Sequence, residues 1–300
     1  MITKLSDLYN HIDKQIKKKK LVVAVAQEEH VLEAVAEAKR KNIVDLILVG
    51  HEKKIKEILE RKELPLSDVE IINEENIKNA AIASVKIIYA GDGDILMKGN
   101  IDSSGFLRAL LDKQYGLRKQ DILSHVGIIE LPNYHKIFAL TDGAFNIAPD
   151  LNMKISILHN TISFVRKLGI KQPKVAVLGV FERVHPKMQA TMDAAILSKM
   201  SQRGQIRHCI IDGPLSFDNA ISKQSANFKG IDNEVAGDAD ILLLPNLESA
   251  NVLYKSIVYF AGAKPACVIL GASAPIILTS RTDSEEVKLN SIMLAARVDF

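Results

Sequence analysis

Tryptophan is missing from this chain, and cysteine occurs only twice in 300 residues. Cys209 and Cys267 are far apart, each in an apolar run, so they read as buried thiols and exclude a disulfide framework. No stretch approaches the ~18 unbroken apolar residues of a membrane-spanning helix. The opening MITKLSDLYNHIDKQ lacks the apolar centre of a signal peptide, so a cytoplasmic location is expected. Charge of one sign is also lacking: 39 Lys and Arg against 36 Asp and Glu leave a net +3, which points to neither a nucleic-acid nor a membrane surface. The dense basic run at 17–20 is expected at the end of a first helix, where cations complement the dipole.

Missing motifs narrow the chemistry further. There is no H-E-x-x-H or C-x-x-C pair, so neither catalytic nor structural zinc is expected and no metal is assigned. Asp238 and Asp240, in AGDADI, could hold a divalent ion, but two carboxylates without a third ligand read better as loop residues before a strand. GDGDILMKG (91–99) is glycine-containing yet fits neither G-x-x-x-x-G-K-[ST] nor G-x-G-x-x-G, which argues against ATP or NAD as the main ligand.

What is present is an ordinary globular balance, 47% hydrophobic and 25% charged, in a chain long enough for two domains. From Leu21 onward, short runs rich in Val, Ile and Leu alternate with longer amphipathic stretches. That alternation predicts βα units and a mostly parallel sheet. LVVAVA (21–26), DLILVG (45–50), VEIIN (69–73) and ILMKG (95–99) are the first expected strands, followed by HVGIIEL and KIFAL with a turn at Pro132 and Asn133. After the turn-rich TDGAFNIAPDLN (141–152) the alternation begins afresh, with helices expected at 154–168, 186–200, 217–227, 249–260 and 284–296.

One stretch near the C-terminus draws attention, GASAPIILTSRTDSEE (271–286). A buried strand over 275–278 gives way to Thr279, Ser280 and Arg281, and then to a helix start at Asp283 and Ser284. A helix N-terminus beside a guanidinium and two hydroxyls is a seat for phosphate; a surface turn whose Asp or Ser caps the helix is the other reading. Tyr254 and Lys255, in PNLESANVLYK (245–255), open a helix after another strand, and ligands of open α/β sheets gather at such strand ends.

These segments carry a resemblance. PNLESANVLYK, the preceding VAGDADILLL and PIILTSR (275–281) resemble the signature of the phosphate acetyltransferase and phosphate butyryltransferase family. HPKMQATMDAAILSKMSQRGQI (185–206), DGPLSFDNAIS (212–222) and SRTDS (280–284) are closer to the butyryl branch. The match runs from about residue 96 to the end, whereas the first ninety or so residues match only in kind.

The resemblance implies two α/β domains of the isocitrate/isopropylmalate dehydrogenase-like type, 1–140 plus 278–300 and 141–277, with the active site in the cleft between them. It implies transfer of a short acyl group between CoA and inorganic phosphate, acyl-CoA + phosphate = acyl phosphate + CoA, with CoA as substrate and no cofactor. A homodimer or higher homo-oligomer is expected. Phosphate acetyltransferase activity, or a non-catalytic CoA or acyl phosphate binder on the same fold, is the alternative. Metal-dependent oxidative decarboxylation would need aspartates and a cofactor loop that are not found.

By the same resemblance Ser280 and Arg281 are the active-site pair, Arg108 a second active-site arginine, and Thr279, Asn251 and Lys255 further phosphate or CoA contacts. In the acetyl branch an aspartate stands seven residues after the serine; here that position is Val287. Asp283 is the carboxylate that could serve instead, either as a base or as a helix cap whose box Glu286 completes.

Overall fold

The computed structural model describes residues 3–10, 18–64, 69–280 and 282–298. The chain divides into two compact units, one formed by Leu8–Asp121 and Ala266–Phe300, the other by Met1–Asp7 and Ile122–Pro265. A short helix, α1 (Leu5–Asn10), comes first. The larger N-terminal part of the first unit then alternates strictly: β1 (Lys19–Ala24), α2 (Glu29–Arg40), β2 (Val44–Gly50), α3 (Glu52–Arg61), β3 (Glu70–Asn73), α4 (Ile77–Ala90), β4 (Ile95–Lys98) and α5 (Ser103–Leu110). The second unit contains β5 (Ser124–Glu130), β6 (Phe138–Thr141), α6 (Leu151–Lys167), β7 (Lys174–Leu178), α7 (Gln189–Gln202), β8 (Ile210–Leu215), α8 (Phe217–Ile221), α9 (Lys223–Phe228), β9 (Ile241–Leu243) and α10 (Leu247–Ala261). With β10 (Lys264–Leu270), β11 (Ile276–Ile277) and α11 (Glu285–Arg297) the chain returns to the first unit.

Strand order in the first unit is β3-β2-β1-β4-β11-β10. All neighbours are parallel except β10 and β11, where Ile269 faces Ile276 across an antiparallel pair. In the second unit the order is β5-β6-β9-β7-β8, parallel except for the β5–β6 hairpin. Strands covered on both faces need apolar side chains on both, which is why they read as unbroken hydrophobic runs. Leu21, Val22, Val23, Ile95, Leu96 and Ile276 are all fully buried.

The seams fall at 121/122 and 265/266, whereas 140/141 and 277/278 are expected from the sequence. Strand pairing explains both shifts. The β5–β6 hairpin goes with the second unit because Ala139, Leu140 and Thr141 pair with Ile241, Leu242 and Leu243. β10 and β11 go with the first because Ile276 and Ile277 pair with Leu96 and Met97. A chain scan sees strands one at a time and cannot see partners.

Three local expectations also change. Lys19 and Lys20 open β1 rather than ending a helix, and Lys18 pairs with Asp45 at 2.7 Å; Lys17 lies outside the described residues. The helix expected from Pro186 begins at Gln189, because a turn closed from Met188 N–H to the His185 carbonyl precedes it. The helix expected over 217–227 is two, broken at Ser222, whose extended backbone lets its hydroxyl cap α9 by accepting from Ser225 N–H.

Asp238 and Asp240 are held by two lysines and a histidine of their own unit. Lys136, buried just before β6, lies 2.8 Å from Asp238 and 2.6 Å from Asp240; Lys174 lies 2.6 Å and His135 2.8 Å from Asp238. Burial works to raise the Asp238 carboxyl, but hydrogen bonds from Lys136, Lys174 and His135 outweigh it and hold the group well below the ordinary carboxylate range. The pair thus ties the starts of β6, β7 and β9 together.

Candidate active site

In the first unit β1, β4 and β11 are adjacent and parallel, so their carboxyl ends lie side by side, the edge where open α/β sheets place ligands. Two of the three loops there are stitched to each other. Gly99 N–H donates to the Ala24 carbonyl at 2.8 Å and Asn100 N–H to the Val25 carbonyl at 2.7 Å, while the Asn100 side chain donates to the Gln27 carbonyl at 3.3 Å. Position 99 must be glycine for this approach, since a Cβ there would lie 2.3 Å from the Val25 oxygen. Beyond the loop, Asp102 caps α5 by accepting from Gly105 N–H at 2.7 Å.

The third loop follows β11. Thr279 is buried at 3% exposure, and Ser280 after it is exposed. Ser280 N–H donates to Asp283 Oδ2 at 2.7 Å, Asp283 N–H donates to the Ser280 carbonyl at 3.2 Å, and the Ser280 and Thr282 hydroxyls are 3.0 Å apart. These bonds close a tight turn with Ser280 at its start. Arg281 lies outside the described residues.

The cap of α11 is Ser284, whose hydroxyl accepts from Val287 N–H at 3.4 Å. Asp283 therefore does not begin a capping box with Glu286. Its carboxylate is turned back onto Ser280, where it fixes the turn. Val287, at the acetyl-branch aspartate position, is buried at 8% exposure.

Two buried cations support these loops, and neither was expected from the sequence. Lys98 is 4% exposed and its ammonium donates to the carbonyls of Ile101 at 3.1 Å and Gly99 at 3.4 Å. Lys288 is 2% exposed and donates to the Asp283 carbonyl at 2.5 Å. Burial pushes the Lys288 ammonium below the ordinary lysine range, with the Glu28 and Asp283 carboxylates pulling the other way. In α11 every residue from 287 to 296 except Leu289 is buried, Lys288 among them.

The remaining expected residues lie on other elements. Arg108 is exposed in the last turn of α5. Asn251 and Lys255 belong to the second unit, exposed one turn apart on α10, whose first turn is capped by Asn246 accepting from Ser249 N–H at 2.9 Å. Tyr254 packs against the apolar core of that unit. At the carboxyl end of β6 the second unit buries Asp142, with Ala144 and Phe145 N–H on its Oδ1 at 3.1 and 3.0 Å and the Asn146 amide on Oδ2 at 2.5 Å. Burial raises this carboxyl, and the hydrogen bonds offset part of the rise. Beside it burial pushes the His125 imidazole down to about 4.

Similarity to known proteins fits this arrangement. A phosphotransacylase fold is evident from a crystal structure of a branched-chain phosphotransacylase from Enterococcus faecalis V583, which matches with a TM-score of 0.83 at 31% identity, over 93% of this chain and 98% of that one. Phosphate butyryltransferase from Clostridium acetobutylicum is 46% identical over 97% of both chains. Phosphate acetyltransferase from Thermotoga maritima is 43% identical over 93% of this chain and 95% of its own. The family model described as phosphate acetyl/butaryl transferase matches residues 7–83 and 73–296. With nearly the whole sequence matched, and the serine turn placed at the carboxyl edge of a parallel sheet, the chain belongs to the phosphate acetyl/butyryl transferase family.

Proposed function

We propose that this protein is a phosphate acyltransferase that moves a short acyl group, butyryl or similar, between CoA and inorganic phosphate. The observation that carries this reading is the near-full-length 46% identity to a phosphate butyryltransferase. Phosphate oxygen attacks the thioester carbonyl, the resulting tetrahedral intermediate collapses, the C–S bond breaks, and the thiolate leaves to take up a proton. Neither a covalent enzyme intermediate nor a cofactor is required once both substrates are held in line, because positioning alone supplies most of what a bimolecular step lacks.

In this reading Arg281 and Arg108 receive the phosphate, since planar guanidinium forks suit tetrahedral oxyanions. The Ser280 hydroxyl donates to the oxyanion or to the departing sulfur, and the start of α11 adds its dipole. Thr279, buried next to Ser280, is a further phosphate or CoA contact in this reading. Asn251 and Lys255 are the CoA contacts of the second unit. A second copy of the chain is the expected partner, and sedimentation equilibrium would return a multiple of 33.1 kDa.

Butyryl and acetyl differ by two methylenes, each worth roughly 0.8 kcal/mol when buried, so preference for the longer chain corresponds to about 10-fold in kcat/KM. The test is a panel of acyl-CoAs with phosphate, following loss of the thioester. Butyryl-CoA should lead acetyl-CoA. A lead for acetyl-CoA would assign the chain to phosphate acetyltransferase activity, the second reading that the Thermotoga relative supports.

A further inference from the structure

We propose that Lys288 is a positioning residue of the acyl transfer: by taking the Asp283 carbonyl, its buried ammonium fixes the Ser280–Asp283 turn on α11 and so sets the place of the Ser280 hydroxyl. This inference rests on the acyltransferase reading above and names a component that the reading does not contain.

Bonds within the turn, Ser280 N–H to Asp283 Oδ2, Asp283 N–H to the Ser280 carbonyl and Thr282 N–H to the Ser280 hydroxyl, join it to itself. A further bond, from Lys288 Nζ to the Asp283 carbonyl at 2.5 Å, joins it to the side of α11. Without that bond the turn keeps its internal bonds and loses a tie to the helix. A side chain whose only task was to fill this space would be apolar, because a buried ammonium is costly and a hydrophobic residue of similar volume commonly serves better. Its surroundings are otherwise those of a packed helix: Ser291 and Ile292 on the same face are fully buried, and α11 lies against α2.

Among the described residues, two carboxylates act on Lys288. Glu28, which caps α2 by accepting from Val31 N–H at 2.8 Å, comes from the helix packed against it, and Asp283 comes from its own loop. Both favour the ammonium form, and burial opposes it more strongly. The sign follows. A lysine whose folded value is lowered loses its proton as pH rises through that lowered value, below the ordinary lysine range of about 10.4. Loss of the proton removes a donor and loosens the turn.

The experiment compares wild type, Lys288→Met and Lys288→Arg in the full chain. It measures kcat and KM for phosphate and for butyryl-CoA from pH 7 to the alkaline limit of stability. The wild type should lose kcat along an alkaline limb. Lys288→Met should lower kcat by about 10-fold to 100-fold at neutral pH, as expected for a misplaced catalytic group, with the KM for butyryl-CoA within about twofold and with no such limb. Lys288→Arg keeps a cation that does not titrate in this range, so it too should lack the limb, and it serves if the methionine variant does not fold. An unchanged limb in either variant, or wild-type kcat in Lys288→Met, would overturn the proposal while leaving the acyltransferase reading intact. A wild type that releases no CoA from butyryl-CoA with phosphate would overturn both.

Discussion

Ser280→Ala should lower kcat by about 100-fold to 1,000-fold, the usual cost of losing one oxyanion-type donor. Stability should change little, because Ser280 is exposed and its backbone bonds to Asp283 survive the substitution. Arg281→Ala should cost at least as much, and there the KM for phosphate should rise as well, since a guanidinium contributes to binding as well as to the intermediate. Wild-type turnover in either variant would remove the turn after β11 from the chemistry.

The same assay separates two roles for Asp283. A thiol with pKa near 8.5 is about 3% ionised at pH 7, so a base that delivers full thiolate in the direction of CoA attack gains at most roughly 30-fold. A base is lost equally in Asp283→Asn and Asp283→Ala. A clamp is not, because the asparagine amide oxygen can still accept from Ser280 N–H. The observed 2.7 Å bond from Ser280 N–H to Asp283 favours the clamp, so Asp283→Asn should retain far more activity than Asp283→Ala. Equal losses would make Asp283 the base.

The second large effect is on stability. Lys154 of α6 and Asp193 of α7 form an ion pair at 2.6 Å with 4% and 1% of each residue exposed, and Gln189 donates to the other carboxylate oxygen at 2.7 Å. Asp193→Ala leaves an ammonium buried without its partner, which should cost about 3–5 kcal/mol. In a unit of this size that is a fall of roughly 10 °C or more in the unfolding midpoint. Replacing both at once, Lys154→Met with Asp193→Leu, should recover most of the loss, because the two buried charges go together and the volume remains filled. Thermal melts of the three proteins check this. A single variant as stable as wild type would mean that the pair contributes nothing to holding α6 on α7.

Most strands were legible in the sequence for one physical reason: a strand covered on both faces must be apolar throughout, and runs such as LVVAVA have no other economical use. The serine turn was legible too, since a strand that ends in hydroxyls before a helix start leaves few alternatives. Pairing was not legible. Whether the β5–β6 hairpin belongs with the strands before it or after it depends on Ala139 meeting Ile241 across a hundred residues. Nor were the supports of the turn. Asp283 and Ser284 are both good caps by type, and only the direction of the Asp283 carboxylate, toward Ser280 N–H, decides between them. Lys288 reads as a surface lysine until α11 is seen to be buried nearly all round.

Direct attack of phosphate on the thioester is tested by isotope exchange between labelled CoA and butyryl-CoA, run with and without phosphate. Direct transfer predicts exchange only when phosphate or butyryl phosphate is present, because CoA cannot leave until an acceptor takes the acyl group. Rapid exchange without either, together with an acyl group retained on the protein, would show a covalent intermediate and contradict the account.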